Sequence, residues 1–236
     1  MNLFMETKEN VKKFYDDYIP RQKKYGVTPR HHFILKRLKQ YGLNSNSKVL
    51  EIGCGIGTLS SIIIKEVNNG FFLGCDISEE SIKVCKDELH RNENTDFIVT
   101  DMSDFNSDIK FDYIVLPDVL EHIPVSEHAN IFNKISSNTH ENTIVVINIP
   151  EPKYLNWIRN NKPELLQIID QSLSMQDLLN NCYPAGFYLE EILPYAIHTK
   201  VPNYLSIVLN KKTTLEEMHM KSGVGKALDN IKFKFF

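Results

Sequence analysis

Short runs of apolar residues, rich in Val, Ile and Phe, recur along the first two thirds of the chain. Five of them predict strands buried on both faces, at 48–53, 70–78, 96–102, 111–118 and 142–150. Between them, apolar residues three or four positions apart predict helices at 58–69 and 78–92, and Ser78 is the expected N-cap of the second. Strands that alternate with helices imply right-handed crossovers and therefore a parallel sheet.

The pattern changes after Pro150. Residues 151–185 have the spacing of two or three helices, and two strand-like runs follow, "FYLEEILPYAIH" and "NYLSIVLNKK". A turn that contains Pro202 joins these runs, so we expect them to close the sheet as an antiparallel pair. The predicted fold class is α/β: a Rossmann-like, doubly wound, mostly parallel sheet of about seven strands with a helical insertion after the fifth.

Composition and charge narrow the function classes. The 236 residues carry 27 basic and 30 acidic side chains with a formal net charge of −3, and no basic stretch predicts a nucleic-acid partner. The four cysteines form no CxxC pair, which favours a reducing compartment. The N-terminus lacks an apolar signal segment, and no run has the roughly 18 apolar residues of a membrane span. We therefore predict a soluble cytoplasmic protein with no membrane partner.

Three glycines in five positions follow the first predicted strand in "SKVLEIGCGIGTLSSIII", residues 47–64. They expose backbone N–H groups at the carboxyl end of a strand, which is where an open α/β sheet binds its ligand. Asp76 ends the second strand and can accept hydrogen bonds from ribose hydroxyls. The motif predicts a nucleoside-like cofactor, and the alternative is a glycine-rich turn without a ligand.

Further motifs in the same order make the prediction more specific. "VLEIGCGIG" is followed by "GCDIS", by Asp101 after the third strand and by "LEHIP" after the fourth. With these motifs, residues 47–150 resemble the class I S-adenosylmethionine-dependent methyltransferases, in the subgroup with an L-E-H-I/V motif. The main competitor is a hydride-transferring Rossmann enzyme. Glu51 argues against it, because a carboxylate beside the glycines would repel a pyrophosphate but attract a sulfonium and an ammonium.

The resemblance implies a set of residues for the methionine end of the cofactor. Glu51 contacts this end directly or through water, and Gly53 and Gly55 allow close approach. Pro117 supplies a backbone carbonyl near the amino group. Arg30, on the helix before the first strand, lies where some relatives place a basic residue against the cofactor's carboxylate; the alternative is a solvated cation at a helix end.

The resemblance also implies residues for the nucleoside end. Asp76 binds the ribose, and Ile77 packs on the adenine. Asp101 and Met102 set the adenine edge, the first through its carboxylate and the second through its backbone.

His122 is the candidate catalytic residue. A hydroxyl acceptor must lose its proton near the transition state, and an imidazole is suited to accept it near neutral pH. Glu121 and Asp118 are expected as orienting groups, and the alternative is a structural histidine in this loop. No metal site is predicted, although Asp118 with His122 could hold Mg²⁺ beside a diol.

Five other residues are weaker candidates for the acceptor side. His198, in the turn before the last strand, is a candidate for lining the acceptor pocket. Tyr154 and Trp157 are either walls of that pocket or a helical pair packed on the sheet. His31, with the neighbouring His32, fits an exposed helix start better than a lid over the cofactor.

We predict one methyltransferase domain over 1–236 whose parts differ in role. They are an N-terminal helical lid (1–46), a cofactor-binding core (47–150), a helical insertion that caps the acceptor (151–185), closing strands (186–210) and a C-terminal tail (211–236). The predicted function is methyl transfer from S-adenosylmethionine to a small-molecule acceptor, a hydroxyl of a sugar or other metabolite. Protein or nucleic-acid methylation and a non-catalytic relative remain alternatives. The absence of an N/D-P-P-Y signature counts against an amino-group acceptor, and the assembly is left open between monomer and homodimer.

Overall fold

The computed structural model describes residues 7–89, 93–211 and 222–232. Seven strands form one sheet in the order β3-β2-β1-β4-β5-β7-β6. Their bounds are β1 (Lys48–Ile52), β2 (Phe71–Asp76), β3 (Thr95–Val99), β4 (Phe111–Pro117), β5 (Thr139–Pro150), β6 (Tyr188–Tyr195) and β7 (Tyr204–Asn210). The first five strands are parallel, and β7 pairs antiparallel with both β5 and β6. The predicted fold class, including the closing antiparallel pair, is confirmed.

Helices cover both faces of this sheet. They are α1 (Lys8–Tyr25), α2 (Pro29–Gln40), α3 (Ser60–Ile63), α4 (Glu79–Leu89), α5 (Val125–Ser137), α6 (Pro152–Asn161), α7 (Met175–Cys182) and α8 (Gly223–Lys232). One apolar layer packs Leu50, Ile114 and Ile147 of the strands with residues of α5 and α7. The other packs Val49, Val115 and Val146 with residues of α2, α3 and α4. Burial on both faces explains why the strands are continuous apolar runs rather than alternating ones.

Local signals place most of the element ends. Ser78 caps α4 as predicted, because its Oγ accepts the backbone N–H of Ser81 at 3.0 Å. The helix predicted at 58–69 is much shorter, since only α3 is helical and hydrogen-bonded turns flank it. Strand β5 begins at Thr139, three residues before the predicted start, in a polar stretch that pairs with Phe111. Polar side chains at the sheet end therefore hid the first residues of this strand.

The outer parts of the chain follow the prediction where they are described. Residues 151–185 contain α6, a short turn at Pro163–Leu165 and α7, in agreement with two or three helices. Within the predicted tail, the structure describes Lys211 and 222–232 only, and the remainder lies outside the described residues. All four cysteines are buried free thiols. Among the described helices, none is long and apolar enough to cross a membrane.

Candidate active site

The glycine-rich loop leaves β1 in a conformation that requires glycine. Gly53 and Gly55 have φ angles of +74° and +53°, in the left-handed region. A Cβ atom at Gly53 would overlap the side chain of Val119, and one at Gly55 would lie 2.7 Å from Nε2 of Gln22 on α1. The backbone of this loop therefore packs closely against the loop after β4 and against helix α1.

A cavity of about 800 Å³ opens at the carboxyl ends of β1, β2 and β4. Its size is within the range of small-molecule and cofactor sites. Every predicted site residue lines it, namely Arg30, Glu51, Gly53, Gly55, Asp76, Ile77, Asp101, Met102, Pro117 and His122. The structure thus brings together at one cavity ten positions that are spread over more than ninety residues of sequence.

Glu51 is a buried carboxyl at one end of this cavity, 1% exposed. Burial raises its pKa to about 8, against the hydrogen bond that its Oε2 accepts from Ser60 Oγ at 2.7 Å, and the charge of Asp76 raises it further. A positive charge in the cavity would favour the ionised form of Glu51. This end of the cavity is therefore suited to a cationic group.

Asp76 lies at the end of β2, where its carboxylate is held by backbone donors. Its oxygens accept the N–H groups of Gly55 at 2.8 Å and Ser78 at 2.9 Å. Burial raises its pKa, and these hydrogen bonds oppose the shift. The carboxylate keeps further lone pairs for ligand hydroxyls. Ile77 follows it directly on the cavity lining.

Asp101 and Met102 lie at the end of β3. Asp101 is exposed at the cavity and its Oδ1 accepts the N–H of Ser103 at 2.9 Å. Met102 is 3% exposed and has a φ of +68°, which is uncommon for a residue with a side chain. Its backbone N–H donates to Thr100 Oγ1 at 3.0 Å. A ligand that bonds to the Met102 N–H would have to share or displace that partner.

Arg30 of α2 is half-buried and belongs to a network of polar side chains. Its guanidinium is ion-paired with Asp118 and donates to the hydroxyl of Tyr204 at 3.2 Å. Burial works to lower the pKa of Arg30, but Asp118 and Tyr204 outweigh it and raise the pKa. The Nε atom is buried without a hydrogen-bond partner in the described structure. Arg30 is thus engaged with Asp118 and Tyr204 on the cavity lining, and its contact with the cofactor's carboxylate stays a prediction.

Asp118 is fixed from the opposite side. It has a φ of +56°, and its Oδ1 accepts a hydrogen bond from Asn148 Nδ2 at 2.6 Å. Its own N–H donates to the Asn148 carbonyl at 2.9 Å. Asn148 in turn accepts a hydrogen bond from the Tyr195 hydroxyl. The carboxylate that pairs with Arg30 is thus held by β5 and β6.

His122 belongs to a short helical turn, Leu120–His122, which we call the LEH turn. Its Nδ1 is hydrogen-bonded to the carbonyl of Ile169 and lies 3.4 Å from Asp170 Oδ1. Because a carbonyl can only accept, Nδ1 carries the proton and the lone pair of the neutral ring is on Nε2. The side chain is 9% exposed, and Nε2 is 3.8 Å from Glu121 Oε1.

Glu121 lines the same cavity and is 1% exposed. Neither of its carboxyl oxygens has a hydrogen-bond partner among the described residues. Burial, with the nearby Asp118 and Asp170, raises the pKa of Glu121 far above its ordinary value, and the residue's own backbone N–H and Arg30 offset only part of this. The hydroxyl of Tyr15 on α1 is also buried without a described hydrogen-bond partner. Its ring centroid is 6.1 Å from that of His122.

Residues 166–172, which we call the strap, cross this end of the cavity. Besides the Ile169 bond to His122, the backbone N–H of Gln171 donates to the Glu121 carbonyl at 2.9 Å. The Gln171 side chain donates to the Ile123 carbonyl at 2.6 Å. The carbonyl of Asp170 accepts from Arg159 of α6 at 2.7 Å. Sequence inspection missed the strap, because it has neither apolar periodicity nor a motif.

Helix α1 covers the other side of the cavity. Tyr15 and Gln22 are among the α1 residues on the lining. The helix is attached to the start of α4 by an ion pair from Lys12 to Glu79 at 2.6 Å and by a hydrogen bond from Ser78 to Asp16 at 2.5 Å. Its position is consistent with the predicted lid.

Two expectations for the remaining candidates need correction. Trp157 is 49% exposed and is not on the cavity lining, whereas Tyr154, which stacks on it, is. His31 is 9% exposed, and its Nδ1 accepts the Thr28 N–H at 2.9 Å, so it caps α2 instead of facing solvent. Burial lowers the pKa of His31 to about 4. His32 is exposed and His198 is an exposed residue on the cavity lining.

The geometry fits a ligand that is cationic and has no phosphate. Glu51 is a buried and Asp76 a half-buried carboxyl group on the cavity, and burial raises the pKa of both. S-adenosylmethionine has a sulfonium and an ammonium, which such carboxyl groups would attract. It also has a ribose, whose hydroxyls can donate hydrogen bonds to Asp76. In the described part of the chain, no group of three or more His, Cys, Asp or Glu side chains is arranged to hold a metal ion.

A parallel sheet with an antiparallel closing pair and a glycine loop beside buried carboxylates define a class I, S-adenosylmethionine-dependent methyltransferase. Residues 43–200 match the family model described as "Methyltransferase domain". The chain belongs to this family, and its cofactor is S-adenosylmethionine.

Two curated relatives illustrate the likeness in sequence. The chain is 30% identical over 125 residues to malonyl-[acyl-carrier protein] O-methyltransferase 1 of Ilyobacter polytropus, which covers 53% of this chain and 43% of the relative. It is 32% identical over 92 residues to a ubiquinone biosynthesis O-methyltransferase of Coxiella burnetii, 38% of each protein. The chain thus spans less than half the length of these relatives.

The fold is also found in solved structures. Magnesium protoporphyrin IX methyltransferase from Synechocystis, with bound S-adenosylhomocysteine, aligns with a TM-score of 0.68 at 16% identity. The alignment covers 87% of this chain and all of that one. At this level of identity the likeness concerns the fold alone.

Proposed function

We propose that the protein transfers a methyl group from S-adenosylmethionine to an oxygen of a small-molecule acceptor. The observation that carries this proposal is the orientation of His122. Its Nδ1 is committed to the Ile169 carbonyl, so the basic lone pair is on Nε2 of a nearly buried ring at the cavity. A fixed, desolvated imidazole is suited to take a proton from a hydroxyl.

The cofactor-facing residues hold their ligand by distinct means. Glu51 offers a carboxylate to the methionine end, with Pro117 and Arg30 nearby, while Gly53 and Gly55 present bare backbone. Asp76 and Ile77 meet the ribose and the adenine, and Asp101 with Met102 meets the adenine edge. When bound, S-adenosylmethionine supplies an electrophilic methyl group whose leaving group is a neutral thioether.

The chain's own contribution to the reaction is alignment and proton removal. His122 accepts the proton of the acceptor hydroxyl at Nε2 as the oxygen gains its methyl group. Asp170, 3.4 Å from Nδ1, stabilises the resulting imidazolium. Helix α1 and the strap keep water from the reacting atoms, which gives residues 1–46 the role of a lid and residues 151–185 that of an acceptor cap.

Other features support a small acceptor over a macromolecule. Both curated relatives described above are O-methyltransferases by name, which favours oxygen as the nucleophile. The net charge of −3 offers no attraction for nucleic acid. Four reduced, buried thiols fit a cytoplasmic location. A monomer and a homodimer both remain compatible with this function.

His122→Ala tests the proposal. With methyl-labelled cofactor and a panel of hydroxylated metabolites, we expect the variant to lower kcat by roughly 10² to 10⁴-fold, the contribution of a positioned base. Its affinity for S-adenosylhomocysteine, measured by calorimetry, should stay unchanged. His32→Ala is the matched control, because His32 is exposed and does not line this cavity.

Two results would contradict the role of His122. One is full kcat in the variant with an acceptor that the wild type methylates. The other is a joint loss of cofactor binding and of thermal stability, which would make His122 a structural anchor of the strap. Absence of any methylated product across the panel would favour a non-catalytic relative instead.

A further inference from the structure

The carboxyl group of Glu121 lacks the hydrogen-bond partners that a buried carboxyl group usually has. It is 1% exposed on a cavity wall, and both oxygens lack a hydrogen-bond partner among the described residues. More than nine in ten buried polar groups in proteins are hydrogen-bonded, so a cavity-lining carboxyl whose two oxygens lack a described partner is a candidate for a hydrogen bond to a ligand. The proposed action of His122 as the base does not involve the Glu121 carboxyl.

The position of Glu121 relative to His122 constrains that ligand. Glu121 Oε1 and His122 Nε2 are 3.8 Å apart, too far for a hydrogen bond between them. Each can therefore bind a donor of its own. Hydroxyls on two adjacent carbons lie close enough together for one to reach the imidazole and the other the carboxyl.

The charges around Glu121 decide between a neutral and an anionic ligand group. Burial, together with the nearby Asp118 and Asp170, raises the pKa of Glu121 far above its ordinary value. The neighbouring cation, Arg30, is already paired with Asp118. A ligand carboxylate beside the reacting oxygen would meet Glu121 and Asp170 without a free cation to compensate it, whereas a neutral hydroxyl can donate a hydrogen bond to the Glu121 carboxyl.

Helix α6 and the strap add apolar side chains to the cavity wall. Tyr154, Leu155 and Ile158 of α6 and Leu166 of the strap line the cavity. Such walls suit a flat apolar body better than a ring studded with hydroxyls.

We propose that Glu121 determines acceptor specificity by binding a second hydroxyl adjacent to the one that is methylated, which makes an apolar vicinal diol, such as an aromatic 1,2-diol, the preferred acceptor class. This inference rests on the proposed O-methyl transfer and names the acceptor class of that same site. His122 takes the proton of the reacting hydroxyl, and Glu121 holds its neighbour and remains chemically unchanged.

Catechol and phenol, which differ by one hydroxyl, are the probes. With methyl-labelled cofactor, the wild type should methylate catechol with a kcat/KM about 10-fold or more above that for phenol, the effect of one buried hydrogen bond. Salicylate, with a carboxylate in place of the second hydroxyl, should be poorer than catechol. Glu121→Leu should bring the catechol to phenol ratio close to one, while Glu121→Gln, which keeps a donor and an acceptor, should retain most of it.

Binding of S-adenosylhomocysteine controls for folding and for the cofactor site, and should be equal in all three proteins. Equal methylation of catechol and phenol by the wild type would overturn the role of Glu121 and leave O-methyl transfer intact. A preference for salicylate, or a catechol preference that survives Glu121→Leu, would also overturn it.

If neither probe is methylated, catechol binding to the S-adenosylhomocysteine complex decides, measured by saturation-transfer NMR. Binding that Glu121→Leu removes and Glu121→Gln keeps would support the assignment. No binding, or binding equal in all three proteins, would overturn it. If Glu121→Leu does not fold, the wild-type ratio and Glu121→Gln carry the test.

Discussion

Glu51 and Glu121 are both buried carboxyl groups with raised pKa values, but their surroundings differ. Glu51 accepts a hydrogen bond from Ser60, whereas Glu121 has no hydrogen-bond partner in the described structure. Burial costs the charged form of each group, so protons remain bound in the folded state at pH values where an unfolded glutamate has lost them. This difference in bound protons makes stability depend on pH.

Glu51→Gln should make the cofactor-free protein less sensitive to alkaline pH. The folded pKa of Glu51 is about 8 and the ordinary value is 4.5. The stabilising contribution of the neutral form is therefore complete below pH about 4.5 and is lost as pH rises to about 8. The loss proceeds at up to about 1.4 kcal/mol per pH unit. We expect the stability difference, variant minus wild type, to grow between pH 5 and 8.

Urea denaturation at pH 5, 6, 7 and 8 measures this difference. Glu141→Gln is the matched control, because Glu141 is exposed at the start of β5 and its variant should show no such growth. A constant difference for Glu51→Gln over the whole range would contradict the raised pKa.

Whether the sequence alone can identify a site residue depends on which part of the structure holds that residue in place. Glu51, Asp76 and Asp101 follow or end strands, and strand ends meet at one edge of a parallel sheet, so their proximity was predictable. Asp170 was not, because the strap is positioned by bonds to the LEH turn nearly fifty residues earlier. Tyr15 was not either, because its place depends on how α1 docks on α4.

Helix α6 and the strap, which we propose as the acceptor end of the cavity, belong to one continuous segment of the chain. Arg159 of α6 donates to the Asp170 carbonyl at 2.7 Å and to Ser172 Oγ at 3.2 Å, so two hydrogen bonds connect the helix to the strap. Changes on the cavity-facing side of α6 should therefore act on acceptor alignment, while changes on its outer side should not.

Tyr154→Ala and Trp157→Ala test this as a pair. Tyr154 lines the cavity and Trp157, one turn on, is 49% exposed outside it. We expect Tyr154→Ala to lower kcat/KM for the acceptor about 10-fold or more, through lost packing and alignment, with unchanged affinity for S-adenosylhomocysteine. Trp157→Ala should have little effect on either quantity. A larger kinetic effect from Trp157→Ala, or loss of cofactor affinity in Tyr154→Ala, would contradict the assignment of α6 to the acceptor.

Apolar patterns in the sequence correctly predicted the strands that are buried along their length. They misplaced the ends of elements that are only partly buried. The five parallel strands lie between two apolar layers, and the pattern found all of them. It overestimated α3, because an apolar stripe continues through hydrogen-bonded turns that need not be helical. It missed the start of β5, where polar residues pair at the sheet end.

The whole domain should gain stability from its cofactor product. Ligand at 100 times its Kd stabilises the folded state by about 2.7 kcal/mol, which for a chain of this length corresponds to roughly 5–10 °C in Tm. S-adenosylhomocysteine should produce this shift and NAD should not. Differential scanning fluorimetry measures both.

Asp76→Ala should lose most of that shift at the same ligand concentration, because hydrogen bonds to a charged group contribute about 1.5–3 kcal/mol. Asp104→Ala, an exposed aspartate off the cavity, is the control. A shift with NAD alone, or one that Asp76→Ala leaves intact, would contradict the assigned nucleoside site.

The network that fixes Arg30 links three distant parts of the chain: α2, the end of β4, and the two strands that carry Asn148 and Tyr195. Because each member satisfies a buried group of the next, replacing one leaves its neighbour buried and unpaired. A single replacement at one of these positions should therefore destabilise the protein, whereas a coordinated replacement of two can preserve the pairing. Among related chains we therefore expect a change at Asn148 to be accompanied by a change at Asp118 or Tyr195.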